Sequence, residues 1–369
     1  MSEKTHILGV FFTYGVSLST WQKQGMLSRE VSLYTALQPK PFQKVYFFTY
    51  GKESPELVEE MAAQGIEVKR KQSTLPMFLY SLVLPFLYKK ELKECTVYKT
   101  TQVFGSWTAV IATWLYRKPL VVRAGFALST NLRSEGWFAR FFARRIESVS
   151  LRVADQVMVT TENIKNYYQK FTQRITVIPN FVDIHLFAPT EKKKDQRVHL
   201  LFVGRLSLEK NIGNLLFAIK DMENVTLTLI GEGDTRRDLE DLALGARAEI
   251  RFVGSVPHED LPRYFAAADI FVLPSLFEGH PKVIVEAMAS GLPIVASDVR
   301  GINTLLEHGK TGLLTATSSQ AIRFGIETLV NDPLKREALG KNARLEAEKE
   351  FSFEKIVTAE KALYQRYLV

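Results

Sequence analysis

Short apolar runs alternate with helical stretches along the whole chain, and they do so in two consecutive series. In the first, Ile7–Phe12, Lys44–Tyr50, Thr96–Tyr98, Leu120–Arg123, Gln156–Thr160 and Ile175–Ile178 read as strands. Gly25–Leu37 and Pro55–Gln64 read as helices between them. Strands separated by helices require crossover connections, and these build a parallel sheet covered on both faces. The polar, charged stretch 190–197 (TEKKKDQR) then interrupts the pattern as a linker would. A second series follows with strands at His199–Val203, Val225–Ile230, Ile250–Val253, Ile270–Pro274 and Pro293–Ala296. The expected fold is therefore α/β, with two Rossmann-like doubly wound domains facing each other across a cleft. Ligands of such sheets sit outside the carboxyl ends of the strands. The expected division is an N-terminal Rossmann-like domain over 1–185, a second over 186–345, and a C-terminal helix over 346–369 that packs back on the first domain.

A length of 369 residues suits two domains of this size, and 46% hydrophobic residues give each a core. The single cysteine, Cys95, rules out a disulfide framework within the chain and fits a reducing compartment. The start runs straight into a strand pattern without a signal-peptide pattern, so the expected location is cytoplasmic. The net charge of +8 suits nucleic acid, anionic lipid or a phosphorylated substrate. No Arg-rich tail, zinc-ligand spacing or aromatic RNA motif accompanies it, and nucleic acid is the weakest of the three.

Chemistry concentrates in the segment from Pro274-Ser275 through Glu278-Gly279-His280-Pro281-Lys282-Val283 to Glu286 and Gly291. A buried-type strand, a turn and a helix from about Lys282 place a helix start at a strand's carboxyl end. Such a start attracts anions through its exposed amides and dipole. Glu278 and Glu286 can accept hydrogen bonds from sugar or ribose hydroxyls, although a lone Glu in any such turn is commonly solvated. Upstream, Gly204 permits close backbone approach, and Arg205 and Lys210 offer a fork and a point charge to a diphosphate. They read equally as two surface cations. Ile230-Gly231-Glu232-Gly233 adds a glycine turn after a strand.

In this order, these segments resemble the retaining glycosyltransferases of family 4, the glycosyl transferases group 1, which have the GT-B fold. The elements are Gly204-Arg205 to Lys210, Leu229-Ile230-Gly231-Glu232-Gly233, Ala267-Ala268-Asp269 to Pro274-Ser275, and Glu278 to Glu286. Ala287-Met288-Ala289-Ser290-Gly291-Leu292-Pro293 and Thr311-Gly312-Leu313-Leu314 follow. The match is strong from about Val177 to Leu314. It implies transfer of a sugar from a UDP- or GDP-type nucleotide sugar to a glycan or lipid-linked acceptor, in surface-polysaccharide or glycolipid synthesis. It also implies that Arg205 and Lys210 hold the donor diphosphate, Glu286 binds ribose and Glu278 faces the transferred sugar. The loop around Val253–Pro257, with Val256 in it, borders the base, and the second domain is the donor side with the first as the acceptor side. Gly204, Gly231, Gly279, His280, Lys282 and Val283 complete the donor set, with His280 equally readable as a residue of shape. Arg205, Lys210 and Glu278 are the catalytic candidates. In the family the donor phosphate itself is thought to take the acceptor proton. No D-x-D element stands at a plausible strand end, and neither a metal nor a cofactor is expected.

The first domain departs from the pattern. Phe12-Thr13-Tyr14-Gly15-Val16 stands where the family has a glycine-rich loop, and only Gly15 corresponds. Trp21 and Arg29 are candidates for the acceptor side, although packing and surface charge account for them as well. No histidine lies between His6 and His185, so the family's N-domain histidine is missing, and Arg123 is its candidate substitute. Pro281 removes one amide donor. These departures leave a catalytically inactive nucleotide-sugar-binding scaffold as the alternative, with a sugar-nucleotide epimerase or phosphorylase behind it. Finally, 75–90 (LPMFLYSLVLPFLYKK) and 137–145 (WFARFFARR) either dock on anionic lipid at the inner face of the cytoplasmic membrane or are core-facing helices. The apolar run is too short to span a bilayer.

Overall fold

The computed structural model describes residues 5–128, 137–190 and 196–368. The interior of the charged stretch read as a linker, 191–195, lies outside the described residues. The chain divides into two compact units, residues 1–179 with 357–369, and residues 180–356.

The first unit holds seven strands: β1 (Ile7–Phe11), β2 (Lys44–Phe48), β3 (Ile66–Lys69), β4 (Val97–Thr100), β5 (Leu120–Ala124), β6 (Gln156–Val159) and β7 (Ile175–Val177). They form one sheet in the order β3-β2-β1-β4-β5-β6-β7, and every pairing is parallel. The second unit holds β8 (Val198–Val203), β9 (Val225–Ile230), β10 (Glu249–Gly254), β11 (Ile270–Leu273), β12 (Ile294–Ser297) and β13 (Leu313–Thr315). Their order is β10-β9-β8-β11-β12-β13, again parallel throughout. Winding reverses between β1 and β4 in one sheet and between β8 and β11 in the other. A crevice opens at the carboxyl ends of the strands at such a reversal.

The sequence explains the layering. Central strands such as β11 (IFVL) are buried at every residue, as expected of a sheet sandwiched between helices. An Ala-Asp pair sets the start of one strand in each sheet. The Asp155 carboxylate accepts from the Leu120 amide at 2.9 Å, and that of Asp269 accepts from the His199 amide at 2.9 Å. The strands β3 and β13 extend the sheets beyond the expected set. Both are only three or four residues long, which gives little periodicity to read.

The unit boundaries differ from the expected 185 and 345. Residues from Asn180 onward belong to the second unit, where Val182 bridges to Ser352 and Phe181 packs edge-on against Phe353. Position 345 falls inside the continuous helix Pro333–Phe351. That helix is fixed by Arg344, whose guanidinium donates to the carbonyls of Ile184, Phe187 and Ala289. The final helix, Phe353–Gln365, joins the first unit only from Val357.

In the first unit that helix brings Glu360 to Lys99 of β4. The two side chains are fully buried, and Nζ and Oε2 stand 2.7 Å apart. Lys99 also lies over the Tyr34 ring, and Arg123 reaches the other Glu360 oxygen at 3.4 Å. Burial lowers the Lys99 pKa from its ordinary value, against the opposing pull of Glu360. A buried pair of this kind tolerates joint replacement better than loss of one partner, because the survivor is left an uncompensated charge. Glu360→Ala should therefore cost about 3–5 kcal/mol. The Lys99→Met/Glu360→Leu double variant should cost clearly less. Urea unfolding midpoints of the three proteins check this ordering.

Candidate functional site

At the carboxyl edge of the second sheet, backbone meets backbone. The Gly204 amide donates to the Ile230 carbonyl, the Leu206 amide to that of Glu232, and the Gly231 amide to that of Gly254. Gly231 has φ +136°, and a Cβ there would lie 1.9 Å from the Gly204 oxygen. A Cβ on Gly233 would lie 2.1 Å from the Leu206 oxygen. The glycine turn thus braces the loop after β8, and only glycine allows that approach. Lys210 closes the short turn Leu208–Lys210. Asn211 follows in the left-handed region, and its side-chain amide donates to the carbonyls of Pro274 and Thr317. The Leu276 amide donates to the Glu209 carbonyl at 2.8 Å. The loops after β8 and β11 are in this way sewn together.

That stitching brings Lys210 and Glu278 into contact. Nζ lies 2.5 Å from Oε1, and the same oxygen accepts from the Ser275 hydroxyl at 2.8 Å. Both side chains are largely shielded from water, which strengthens the pairing of charges. Arg205 is exposed beside them. Burial would raise the Glu209 carboxyl, but the Ser207 hydroxyl, its own backbone amide and the charges of Lys210 and Arg205 together hold it below its ordinary value. Gly279 and Glu278 are fixed from behind by Gly301, at φ +96°. A Cβ on Gly301 would lie 2.3 Å from the Glu278 oxygen and 2.4 Å from the Gly279 oxygen.

The helix Lys282–Ala289 starts at this loop, as the sequence suggests. Pro281 precedes it and offers no hydroxyl or carboxylate to its first turn. Glu286, on the second turn, is buried, and its Oε1 stands 3.1 Å from His258 Nε2. His258 opens the short turn His258–Asp260 after β10 and is itself buried. Sequence reasoning stopped one residue short of it, at the Val253–Pro257 loop. Val256 and Val283 are half-buried and pack against the core of this unit. His280 is buried, with its ring and its carbonyl held by the Asn180 side chain and its ring edge-on to Phe351. These contacts fit the reading of His280 as a residue of shape.

The corresponding edge of the first unit is built differently. Gly15 is exposed at φ +79° in the loop after β1. Around it the loop is aromatic, with Tyr14 among Tyr50, Phe104 and Trp107. The next helix, Leu18–Lys23, is capped by Ser17 and already faces an anion. The buried Glu53 carboxylate accepts from the Leu18 amide at 2.9 Å, from the Ser19 amide at 3.1 Å and from the Ser19 hydroxyl at 2.7 Å. Trp21 is core, stacked on Phe12 with ring centroids 4.3 Å apart. Packing therefore accounts for Trp21, against its expected place on the acceptor side. Arg29 is mostly buried and pairs with Glu30. Arg123 pairs with Glu360 in the buried charge cluster described above. That ion pair gives Arg123 a structural partner where a substitute for histidine was expected. Among the described residues, no group of three or more His, Cys, Asp or Glu side chains is placed to hold a metal ion.

The family described as Glycosyltransferase Family 4 matches residues 33–186, and that described as Glycosyl transferases group 1 matches residues 184–346. Over 169 residues the chain is 34% identical to an uncharacterized glycosyltransferase of Methanocaldococcus jannaschii, covering 44% of this chain and 43% of that protein. Over 308 residues it is 29% identical to the UDP-Gal:alpha-D-GlcNAc-diphosphoundecaprenol alpha-1,3-galactosyltransferase of Escherichia coli, covering 75% and 77%. The chain spans 35 to 66% of the length of several other curated relatives. The solved structure of Anabaena HepE in complex with UDP-glucose superposes with a TM-score of 0.78 over 98% of this chain and 100% of that one, at 21% identity. At that identity the likeness is one of fold.

The glycine contacts carry a direct test. Gly231→Ala forces a Cβ onto the Gly204 oxygen at a φ that L-residues rarely adopt, so the loop after β8 must shift. The variant should lose about 1–3 kcal/mol of stability. It should also show faster amide exchange at Gly204–Leu206, read by hydrogen–deuterium exchange.

Proposed function

The chain belongs to the family 4 glycosyltransferases of GT-B fold, and on that premise we propose that it transfers a sugar from a nucleoside-diphosphate sugar with retention of configuration. The observation that carries this reading is the meeting of Lys210 with Glu278 at the β8/β11 reversal, beside the helix that bears the buried Glu286. A diphosphate at this edge meets the Lys210 ammonium, the Arg205 guanidinium and the start of the Lys282–Ala289 helix. Glu286, oriented by His258, accepts from the ribose hydroxyls. Glu278 then has two tasks. It holds Lys210 in place through one oxygen and faces the sugar.

In the proposed step, the bond between the anomeric carbon and the diphosphate oxygen breaks, and its electron pair leaves with the diphosphate. The acceptor hydroxyl forms the new bond on the same face, and its proton passes to a phosphate oxygen of the leaving group. Charge develops on the diphosphate as the bond breaks, which is where fixed cations and helix amides act most strongly. No protein base is needed at the sugar, and none of these steps calls for a metal.

The donor is proposed to be a UDP sugar, in keeping with the ligand of the HepE structure. The acceptor is proposed to be a glycan or a lipid-linked sugar, in keeping with the substrate in the name of the Escherichia coli relative.

The test is turnover of a panel of UDP and GDP sugars, chosen by thermal shift, with the anomeric configuration of the product read by NMR. Lys210→Ala and Glu286→Ala should each lower kcat/KM by about 10²–10³-fold while staying folded at the assay temperature, as circular dichroism reads. Transfer should persist in EDTA. Full activity in either variant removes the site assignment. Donor binding without turnover against every acceptor favours the inactive scaffold instead.

A further inference from the structure

The first unit carries an apolar face that its own fold leaves uncovered. The crossovers β3→β4, β4→β5 and β5→β6 all run toward the same edge of the sheet. Being right-handed, they place their helices on one face. These helices are Met77–Leu87, Trp107–Tyr116 and Trp137–Val153. They are locked into one layer. Pro85 has no amide hydrogen for the Ser81 carbonyl, and the Thr108 hydroxyl of the middle helix takes that carbonyl instead, at 2.9 Å. The Tyr116 hydroxyl donates to the Pro85 carbonyl at 2.7 Å. Ser106, just before the middle helix, meets Ser150 of the third at 2.6 Å.

The outer side of this layer has the wrong polarity for water. In Met77–Leu87, Tyr80, Ser81, Leu84 and Pro85 face inward, and the outward positions are Phe78, Leu79 and Phe86. The middle helix exposes Trp114, with 63% of its surface open. In Trp137–Val153 polar side chains go inside along with Leu151, and aromatic ones stand outside among arginines. Ala143, Glu147 and Ser150 are buried, and the Glu147 carboxylate accepts from the Tyr168 hydroxyl. Phe141 and Phe142 point out, 47% and 55% exposed. A surface helix ordinarily turns its polar stripe outward. Among the described residues, every strongly exposed large apolar side chain of the first unit lies on these helices or in the loops leading into them. Chance scatter would spread such residues over the unit, so this face has an occupant.

Charge identifies the occupant. Arg144, Arg145 and Arg152 are exposed on the third helix, whose one carboxylate, Glu147, is buried. Arg145 lies over the Phe141 ring. Lys89, Lys90 and Lys93 are exposed just past the first helix, and Arg117 just past the middle one. Exposed aromatic side chains interleaved with cations fit the headgroup layer of an anionic bilayer, where rings enter the acyl boundary and arginines meet phosphates. No helix among the described residues is long and apolar enough to cross a membrane, so contact would be from one side. The layer also reaches the loop after β1. The Met77 sulfur lies 3.4 Å from where a Cβ on Gly15 would stand.

We infer that the outer face of these three helices docks on the surface of a bilayer that carries anionic lipid. The inference stands apart from the catalytic reading, because its residues lie in the other unit. The test is flotation with vesicles of equimolar phosphatidylcholine and phosphatidylglycerol, against phosphatidylcholine alone. The protein should partition at least about tenfold more strongly onto the anionic vesicles, and high salt should release it. Phe86→Asp/Phe142→Asp and Arg145→Glu/Arg152→Glu should each weaken partitioning about tenfold or more while melting as the wild type does. Lys210→Ala should float as the wild type does. Absence of binding at low salt, or binding unchanged in both double variants, overturns the inference. So does a concentration-dependent dimer that Phe86→Asp/Phe142→Asp dissociates in a protein that binds no vesicle. That last result assigns the face to a second copy of the chain.

Discussion

A carbonyl oxygen packed against an α-carbon sets the geometry on which the second unit's site depends. Gly231 and Gly233 give up their side chains so that the turn after β9 can press on the loop after β8, and Gly301 does the same for the loop after β11. Between these contacts the loops have little freedom left. Lys210 and Glu278 are 68 residues apart in sequence, yet they meet because the backbones that carry them are held from both sides. The family's glycine motif therefore acts here through backbone contact. A side chain at Gly231 would disturb Lys210 without touching it.

Much of this was legible in the sequence, and the limits follow from what a sequence pattern encodes. Strands such as Val225–Ile230 and Leu120–Ala124 declare themselves because parallel, doubly covered strands read as nearly continuous apolar runs, broken here only by Thr226, Thr228 and Arg123. The segment from Pro274 to Glu286 was legible as strand, turn and helix for the same reason. Pairings across long separations were not. Lys99 and Glu360 lie 261 residues apart, and each alone reads as an ordinary surface charge. The partner of Arg123 was hidden in the same way, because it comes from a helix at the far end of the chain. His258 escaped notice because it sits in a short polar turn with no periodicity, although the turn follows directly on a loop already singled out. Trp21 was held open between the acceptor side and packing, and its burial against Phe12 accounts for it as packing.

The two units answer similar architectural demands with unequal chemistry. Each starts a strand with an Ala-Asp pair whose carboxylate holds the first or second amide of a neighbouring strand, and each reverses its winding between the third and fourth strands of its sheet's order. At the carboxyl edge the likeness ends. The first unit places Glu53 against the start of its helix Leu18–Lys23, and Gly51 makes room for it, since a Cβ there would lie 2.6 Å from a Glu53 oxygen.

A carboxylate at a helix start satisfies the amides and offsets the dipole that would otherwise favour a phosphate. In the first unit that role is filled from within the protein. In the second, the residue ahead of the helix Lys282–Ala289 is a proline, which can cap nothing with its side chain, and Lys210 and Arg205 add positive charge beside it. The two helix starts therefore differ in their electrostatics: a carboxylate of the protein satisfies the first, and the residue ahead of the second caps nothing. Glu53 already satisfies the amides at the first unit's edge, and around the loop after β1 Tyr14, Tyr50, Phe104 and Trp107 pack ring against ring, a geometry that fixes the loop by aromatic contact where the second unit uses glycine contacts.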